Sequence, residues 1–122
     1  MIKFLTKIDG INNVLENNNL LEIEFEKNNI IKIFNELRDN TELNFNQLLD
    51  ITAVDYPSRE FRFDLIYILQ SLTKNKKIIL KTFIKENENI ESITNIHKSA
   101  DWYERECYDL FGIEFINHPD LR

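Results

Sequence analysis

The alternation of Phe61, Phe63, Leu65, Tyr67 and Leu69 with Arg62, Asp64, Ile66, Ile68 and Gln70 is the most constraining feature of this sequence. A period of two sustained over ten residues has no helical solution, because on a helix these side chains would scatter all round the axis. On a strand they stand on one face. The pattern recurs after a turn at Lys74-Asn75, where Ile78, Leu80, Thr82 and Ile84 share one face of residues 77–85. Upstream, residues 45–56 place Leu49, Ile51 and Ala53 on one face and Leu48 and Val54 on the other, predicting a strand buried on much of both sides. Pro57-Ser58-Arg59-Glu60 connects it to the next; Pro57 lacks a backbone donor and belongs at a strand's end. Three successive strands with short connectors predict an antiparallel meander.

The remaining segments predict what covers that sheet. Phe4, Leu5, Ile8, Ile11, Val14 and Leu15 recur at roughly helical spacing and read as a short helix or loosely packed N-terminal segment, ended by Asn17-Asn18-Asn19. Leu21, Ile23 and Phe25 alternate with Glu22, Glu24 and Glu26, as in a half-buried strand. Asn28 or Asn29 then caps a helix whose Ile30, Ile31, Phe34 and Leu37 repeat at helical spacing until Asp39-Asn40. Residues 86–91 read as polar loop, and Ser92 as the cap of a single turn over 93–97. The order of elements is that of a two-layer α+β sandwich, an antiparallel meander sheet covered by helices. The length of 122 residues suits one domain, 1–122.

The last two dozen residues, SADWYERECYDLFGIEFINHPDLR, predict a helix from an N-cap at Ser99 to a stop at Gly112. At about 100° per residue, Ala100, Tyr103, Cys107, Leu110 and Phe111 form a core-facing seam. Asp101, Trp102, Arg105, Glu106 and Asp109 take the opposite side, with Arg105 one turn from both Asp101 and Asp109. A charged helix face is ordinarily solvated, its ion pairs contributing about 0.3–0.5 kcal/mol each. Trp102 among those charges departs from that pattern, since Trp and Arg are enriched where interfaces hold their energy. After the helix come a short apolar run, Ile113 to Ile116, and a turn at Asn117-His118-Pro119-Asp120.

Several chemistries are disfavoured. A net charge of −6 opposes nucleic-acid and anionic-membrane binding, which need clustered Lys and Arg. One cysteine, Cys107, allows no internal disulfide, and it lies on the core seam with no cationic neighbour to activate it. His97, His118 and Cys107 lack the close spacing of a zinc site. Glu104, Glu106 and Asp109 could pair for acid–base work, but Arg105 among them keeps carboxylates ionised. Two glycines leave no phosphate-cradling loop. No apolar run approaches the ~20 residues of a bilayer span, and the first ten residues lack signal-peptide and presequence features. The 16 asparagines and 18 isoleucines read as coding bias rather than chemistry.

Glu104-Arg105-Glu106, two residues, Asp109-Leu110-Phe111, six residues, His118, three residues, Arg122 resembles the signature of one family. It is the 30 kDa subunit of respiratory NADH:ubiquinone oxidoreductase (complex I), the mitochondrial subunit nine. Val54-Asp55-Tyr56-Pro57-Ser58-Arg59 and the strand after it resemble a second block of that family, as does Ala100-Asp101-Trp102. The resemblance covers residues 45–122 well and the first forty weakly. Family members usually continue beyond the position of Arg122, and often carry a bulkier aromatic where His97 stands, so the family tail is expected to be absent here.

The resemblance implies a non-catalytic structural and assembly subunit of the peripheral arm. Such a subunit supports electron transfer from NADH to ubiquinone, coupled to proton translocation, without catalytic residues of its own. FMN, iron–sulfur clusters and ubiquinone belong on neighbouring subunits. Implied partners are the large quinone-pocket subunit and its cluster-bearing neighbours, meeting this chain at Trp102, Arg105, Glu106, Asp109, His118, Asp120 and Arg122. The implied place is the matrix side of the mitochondrial inner membrane, or the cytoplasmic side of a bacterial one. A scaffold subunit of a related membrane-bound hydrogenase is the alternative; a small stand-alone enzyme and an adaptor outside respiration fit the residues less well.

Overall fold

The computed structural model describes residues 1–120. Its elements are α1 (Ile2–Leu5), β1 (Ile11–Asn17), β2 (Leu20–Phe25), α2 (Ile30–Asp39), β3 (Gln47–Asp55), β4 (Phe63–Ser71), β5 (Lys76–Ile84), β6 (Asn89–Glu91), α3 (Ala100–Phe111) and β7 (Glu114–Ile116). Five strands form one sheet in the order β1-β2-β5-β4-β3, and β6 and β7 form a two-stranded parallel ribbon. The α+β class follows as expected, and β3-β4-β5 is the antiparallel meander. What the local pattern did not reveal is that β2 joins β5 in parallel, with Ile23 opposite Leu80. The sheet is therefore mixed.

One sheet face is the core. Leu21, Ile23, Phe25, Ile51, Phe63, Leu65, Tyr67, Leu69, Ile78, Leu80 and Ile84 are buried there, with Ile30, Ile33, Phe34 and Leu37 of α2. At its centre Phe25, Phe34 and Tyr67 meet edge to face, with ring centroids 5.0–6.0 Å apart. Such pairs add to the burial itself.

Bulges explain two departures. The segment expected as a short helix or loose N-terminus is a single helical turn followed by β1, which pairs antiparallel with β2. A register shift between Ile11 and Asn13 interrupts the alternation of β1. The half-buried Ile11 and Val14 are thus three residues apart, which imitates a helical period. In β3 the shift lies between Leu48 and Asp50, turning Leu48 inward with Ile51 and Ala53 and leaving Leu49 and Val54 exposed. β3 is thus an edge strand buried on one side, contrary to the two-sided burial expected.

The asparagines also have a structural use. The five non-glycine residues with positive φ among those described are Asn18, Asn44, Asn75, Asn87 and Asn117. Asparagine tolerates the left-handed region better than other non-glycine residues, so in a glycine-poor chain it takes the tight corners. Asn18 and Asn75 turn the chain between β1 and β2 and between β4 and β5. Coding bias alone does not account for these positions.

Phe34 packs against both other rings with no solvent exposure. Phe34→Ala is expected to lose about 3–5 kcal/mol of unfolding free energy, read from the urea midpoint at unchanged slope.

Candidate functional site

The last helix and its flanking segments bring together most of the residues singled out from the sequence. Gly112 ends α3 in the left-handed conformation (φ 72°), its N–H donating to the Tyr108 carbonyl at 2.8 Å. Ser99, expected to cap the helix, makes no side-chain cap bond. The turn before it serves the first donors instead: Ala100 N–H reaches the His97 carbonyl (3.0 Å) and Asp101 N–H the Lys98 carbonyl (3.2 Å).

The buried stripe of α3 is Ala100, Glu104 and Cys107, flanked by half-buried Tyr103 and Phe111. Leu110, expected in the seam, is instead 69% exposed. The stripe is rotated toward Glu104, which at about 100° per residue lies beside Phe111, while Leu110 falls at its edge. A carboxylate was not expected in the core, yet Glu104 has no exposure.

Its oxygens have partners. Oε1 accepts from the Ser92 hydroxyl at 2.6 Å and Oε2 from the Ile93 N–H at 2.9 Å. Burial raises the pKa of Glu104, and these two hydrogen bonds oppose the rise. Ser92 N–H in turn donates to the Ile116 carbonyl (2.8 Å), and β6 pairs with β7 from Asn89/Glu114 to Glu91/Ile116. One carboxylate therefore ties the segment after β6, and through it β7, to the middle of α3. The expected one-turn helix at 93–97 is a hydrogen-bonded turn, with Ile96 and His97 N–H groups both on the Ile93 carbonyl.

His118 closes the same circuit. The Asp120 N–H donates to Nδ1 at 2.9 Å, which places the ring proton on Nε2. Nε2 lies 3.1 Å from the Asp101 carbonyl and donates to it; Asp101 Oδ1 is also 3.1 Å away, in charge contact but without a hydrogen bond. The Glu104 Oε1 lies 4.0 Å from Nε2. The His118 side chain is wholly enclosed, so it faces inward rather than out toward a partner. Asp120 is exposed, and Arg122 lies outside the described residues.

The outer flank carries Trp102, 64% exposed, with exposed Glu106 and Asp109 and half-buried Asp101 and Arg105. Arg105 does not pair with Asp101 or Asp109. Its guanidinium lies 5.9 Å from the Trp102 ring centroid. Glu104 points inward while Glu106 and Asp109 point out, so the three carboxylates form no facing acid–base pair. Cys107 is buried, its thiol 3.5 Å from the Ile51 carbonyl and its pKa pushed up to about 12 by burial. His97 is buried beneath the turn, with Nε2 lacking a hydrogen bond; burial, then Arg38, lowers its pKa. No group of three His, Cys, Asp or Glu side chains suited to a metal occurs among the described residues.

Beyond the C-terminus of α3 a cleft of about 230 Å³ lies between Leu110, Phe111 and the β4/β5 ends. On its far wall Arg62 grips Asp55 at 2.7 and 3.0 Å and also pairs with Glu86. The hydrogen bonds from Arg62 hold the Asp55 carboxyl below its usual range.

A mixed five-stranded sheet with a C-terminal helix latched to a parallel ribbon places this protein in the fold class of the small subunits of respiratory membrane complexes. The structure is similar to the trypsin-resistant fragment (1-134) of Nqo5, with TM-score 0.78, 27% identity, and 98% of this chain and 96% of that one covered. It shares its fold with a chain from the membrane-bound sulfane sulfur reductase, an archaeal respiratory membrane complex: TM-score 0.86, 24% identity, coverage 99% and 71%. The sequence pattern of the family described as "Respiratory-chain NADH dehydrogenase, 30 Kd subunit" matches residues 23–122, and the chain belongs to that family.

Among its relatives, the C-type subunit of the NADH-quinone oxidoreductase of Ruegeria pomeroyi is 44% identical over 102 residues, covering 84% of this chain and 51% of the relative. The mitochondrial NADH-ubiquinone oxidoreductase 30.4 kDa subunit of Neurospora crassa is 46% identical over 93 residues, covering 76% and 33%. The chain spans about half or less of the length of these relatives. The family resemblance drawn from the ERE, DLF and His118 spacing holds.

Glu104 supplies the pH test. Its raised pKa means that its contribution to stability is fully present below the ordinary glutamate value and is lost as pH rises through the raised one. Between about pH 4 and 7, wild type is expected to lose stability relative to Glu104→Gln, measured by urea unfolding at each pH. Glu104→Ala, which strands the Ser92 hydroxyl and Ile93 N–H, is expected to cost about 2–4 kcal/mol at any pH in that range.

Proposed function

We propose that this chain is a non-catalytic structural subunit of the peripheral arm of a proton-translocating NADH:quinone oxidoreductase. In this reading it supports electron transfer from NADH to ubiquinone by keeping neighbouring subunits in register. Its partners are the large quinone-pocket subunit and cluster-bearing subunits beside it, in a complex attached to an energy-transducing membrane. The place is the matrix side of a mitochondrial inner membrane or the cytoplasmic side of a bacterial one.

One observation carries the reading. An exposed Trp and a set of charges stand on the outside of a helix whose inner side is latched by a buried carboxylate. A rigid face with an aromatic anchor suits being held by a partner, since little ordering remains to be done on binding. Tunnelling and quinone access depend on fixed geometry, so a rigid support has a mechanistic role. The contacts are Trp102, Arg105, Glu106, Asp109 and Asp120; His118 serves them from inside by holding the exit segment against Asp101. The same reading assigns FMN, clusters and quinone to the neighbours.

Trp102→Ala combined with Arg105→Ala is expected to leave the isolated chain folded, with an unchanged circular dichroism melt, while lowering its incorporation into the parent complex at least about tenfold. Unfolding of the isolated double variant would make those side chains core. The purified chain is expected to show no flavin or iron–sulfur absorbance above about 320 nm; a stoichiometric chromophore would contradict the assignment.

A further inference from the structure

We propose that Leu110 and Trp102 form a two-point apolar grip by which α3 seats in a groove of a neighbouring polypeptide whose floor carries Lys or Arg between two apolar sockets. This rests on the assembly reading above and adds to it a second anchor and the chemistry of the partner.

Leu110 is the more exposed of the two, at 69% against 64%. A lone exposed leucine needs no explanation, but two large apolar side chains on one helix flank do. Eight residues separate them, about 12 Å along the axis, with Glu106 midway at the spacing used by helices that dock in grooves. The Leu110 end of the flank borders the cleft lined by Phe111, Arg62 and Lys85, so an apolar contact there has a wall to extend onto.

The charges between the anchors choose the partner. Arg62, Lys32 and Lys76 find carboxylates elsewhere on the surface. Among the described residues, Glu106 and Asp109 have no ion pair or hydrogen bond, and Arg105 is turned onto Trp102 rather than toward them. Seating this flank in an apolar or acidic groove would strip water from two carboxylates with nothing in return. A second copy of this chain would bring the same carboxylates to the contact, and nucleic acid or an anionic lipid surface would be repelled by them. A cationic groove floor satisfies both carboxylates and fixes the register of the helix.

The test is made in the assembled parent complex. Occupancy of the chain is counted by quantitative mass spectrometry, and each isolated variant's melting temperature is followed in parallel. Leu110→Asp, and separately Glu106→Lys with Asp109→Lys, are each expected to lower occupancy at least about tenfold without shifting the melt. Leu110→Met is expected to keep it. Salt is expected to release the wild-type chain more steeply than the Glu106→Gln, Asp109→Asn variant. If Leu110→Asp and the charge reversal keep full occupancy while the Trp102/Arg105 variant loses it, the two-point grip and cationic groove are wrong and the assembly reading stands. If the Trp102/Arg105 variant also keeps full occupancy, the assembly reading itself fails. A lowered melt for Leu110→Asp alone would place Leu110 in the core and overturn the grip.

Discussion

A single carboxylate enclosed between α3 and the turn after β6 organises the C-terminal third of this protein. Glu104 accepts one hydrogen bond from a side chain and one from the backbone of the same turn, and that turn holds β7 through Ser92. A buried carboxylate is tolerated only where its oxygens are occupied. Here the requirement works in reverse: the need to satisfy Glu104 specifies how the turn must lie. An apolar residue in its place would bury well but would leave the turn free to choose among several packings.

The family signature thus divides by direction. Glu104 and His118 face inward and set the orientation of the helix and of the chain leaving it. Arg105, Glu106 and Asp109 face outward and have few partners of their own. Residues that alternate along a short sequence motif perform two unlike tasks, and only their angle around the helix axis separates them. Trp102 belongs to the second group, with the Arg105 guanidinium beside its ring.

Strands with uninterrupted alternation were legible in the sequence: β4, β5 and β2 lie where a period of two put them, and α2 where a period of 3.6 did. The failures have local causes. In β1 and β3 one extra residue shifts the register, so Val14 mimicked a helical repeat and Leu49 a core position. At α3 the width of the apolar stripe was legible but its centre was not. A hydrophobicity pattern scores Leu110 as core and Glu104 as surface, whereas the hydrogen-bond donors of Ser92 and Ile93 reverse both. Those donors come from a segment that the local pattern cannot connect to the helix. His118 was legible as a hydrogen-bonding turn residue; that its ring is enclosed depends on the carbonyl of Asp101, at the far end of the helix.

The parallel contact between β2 and β5 has a kinetic consequence. The β3-β4-β5 meander and the β1-β2 hairpin each close through short turns and so form early, but joining them encloses α2 and the whole meander within one long loop. Docking of the hairpin is the step with the greatest loop-closure entropy, and until it occurs the inner edge of β5 is an unpaired strand of mostly β-branched and leucine residues. During synthesis the hairpin emerges first and waits for its partner strand, leaving that edge open to wrong pairing for as long as the nascent chain takes to deliver it.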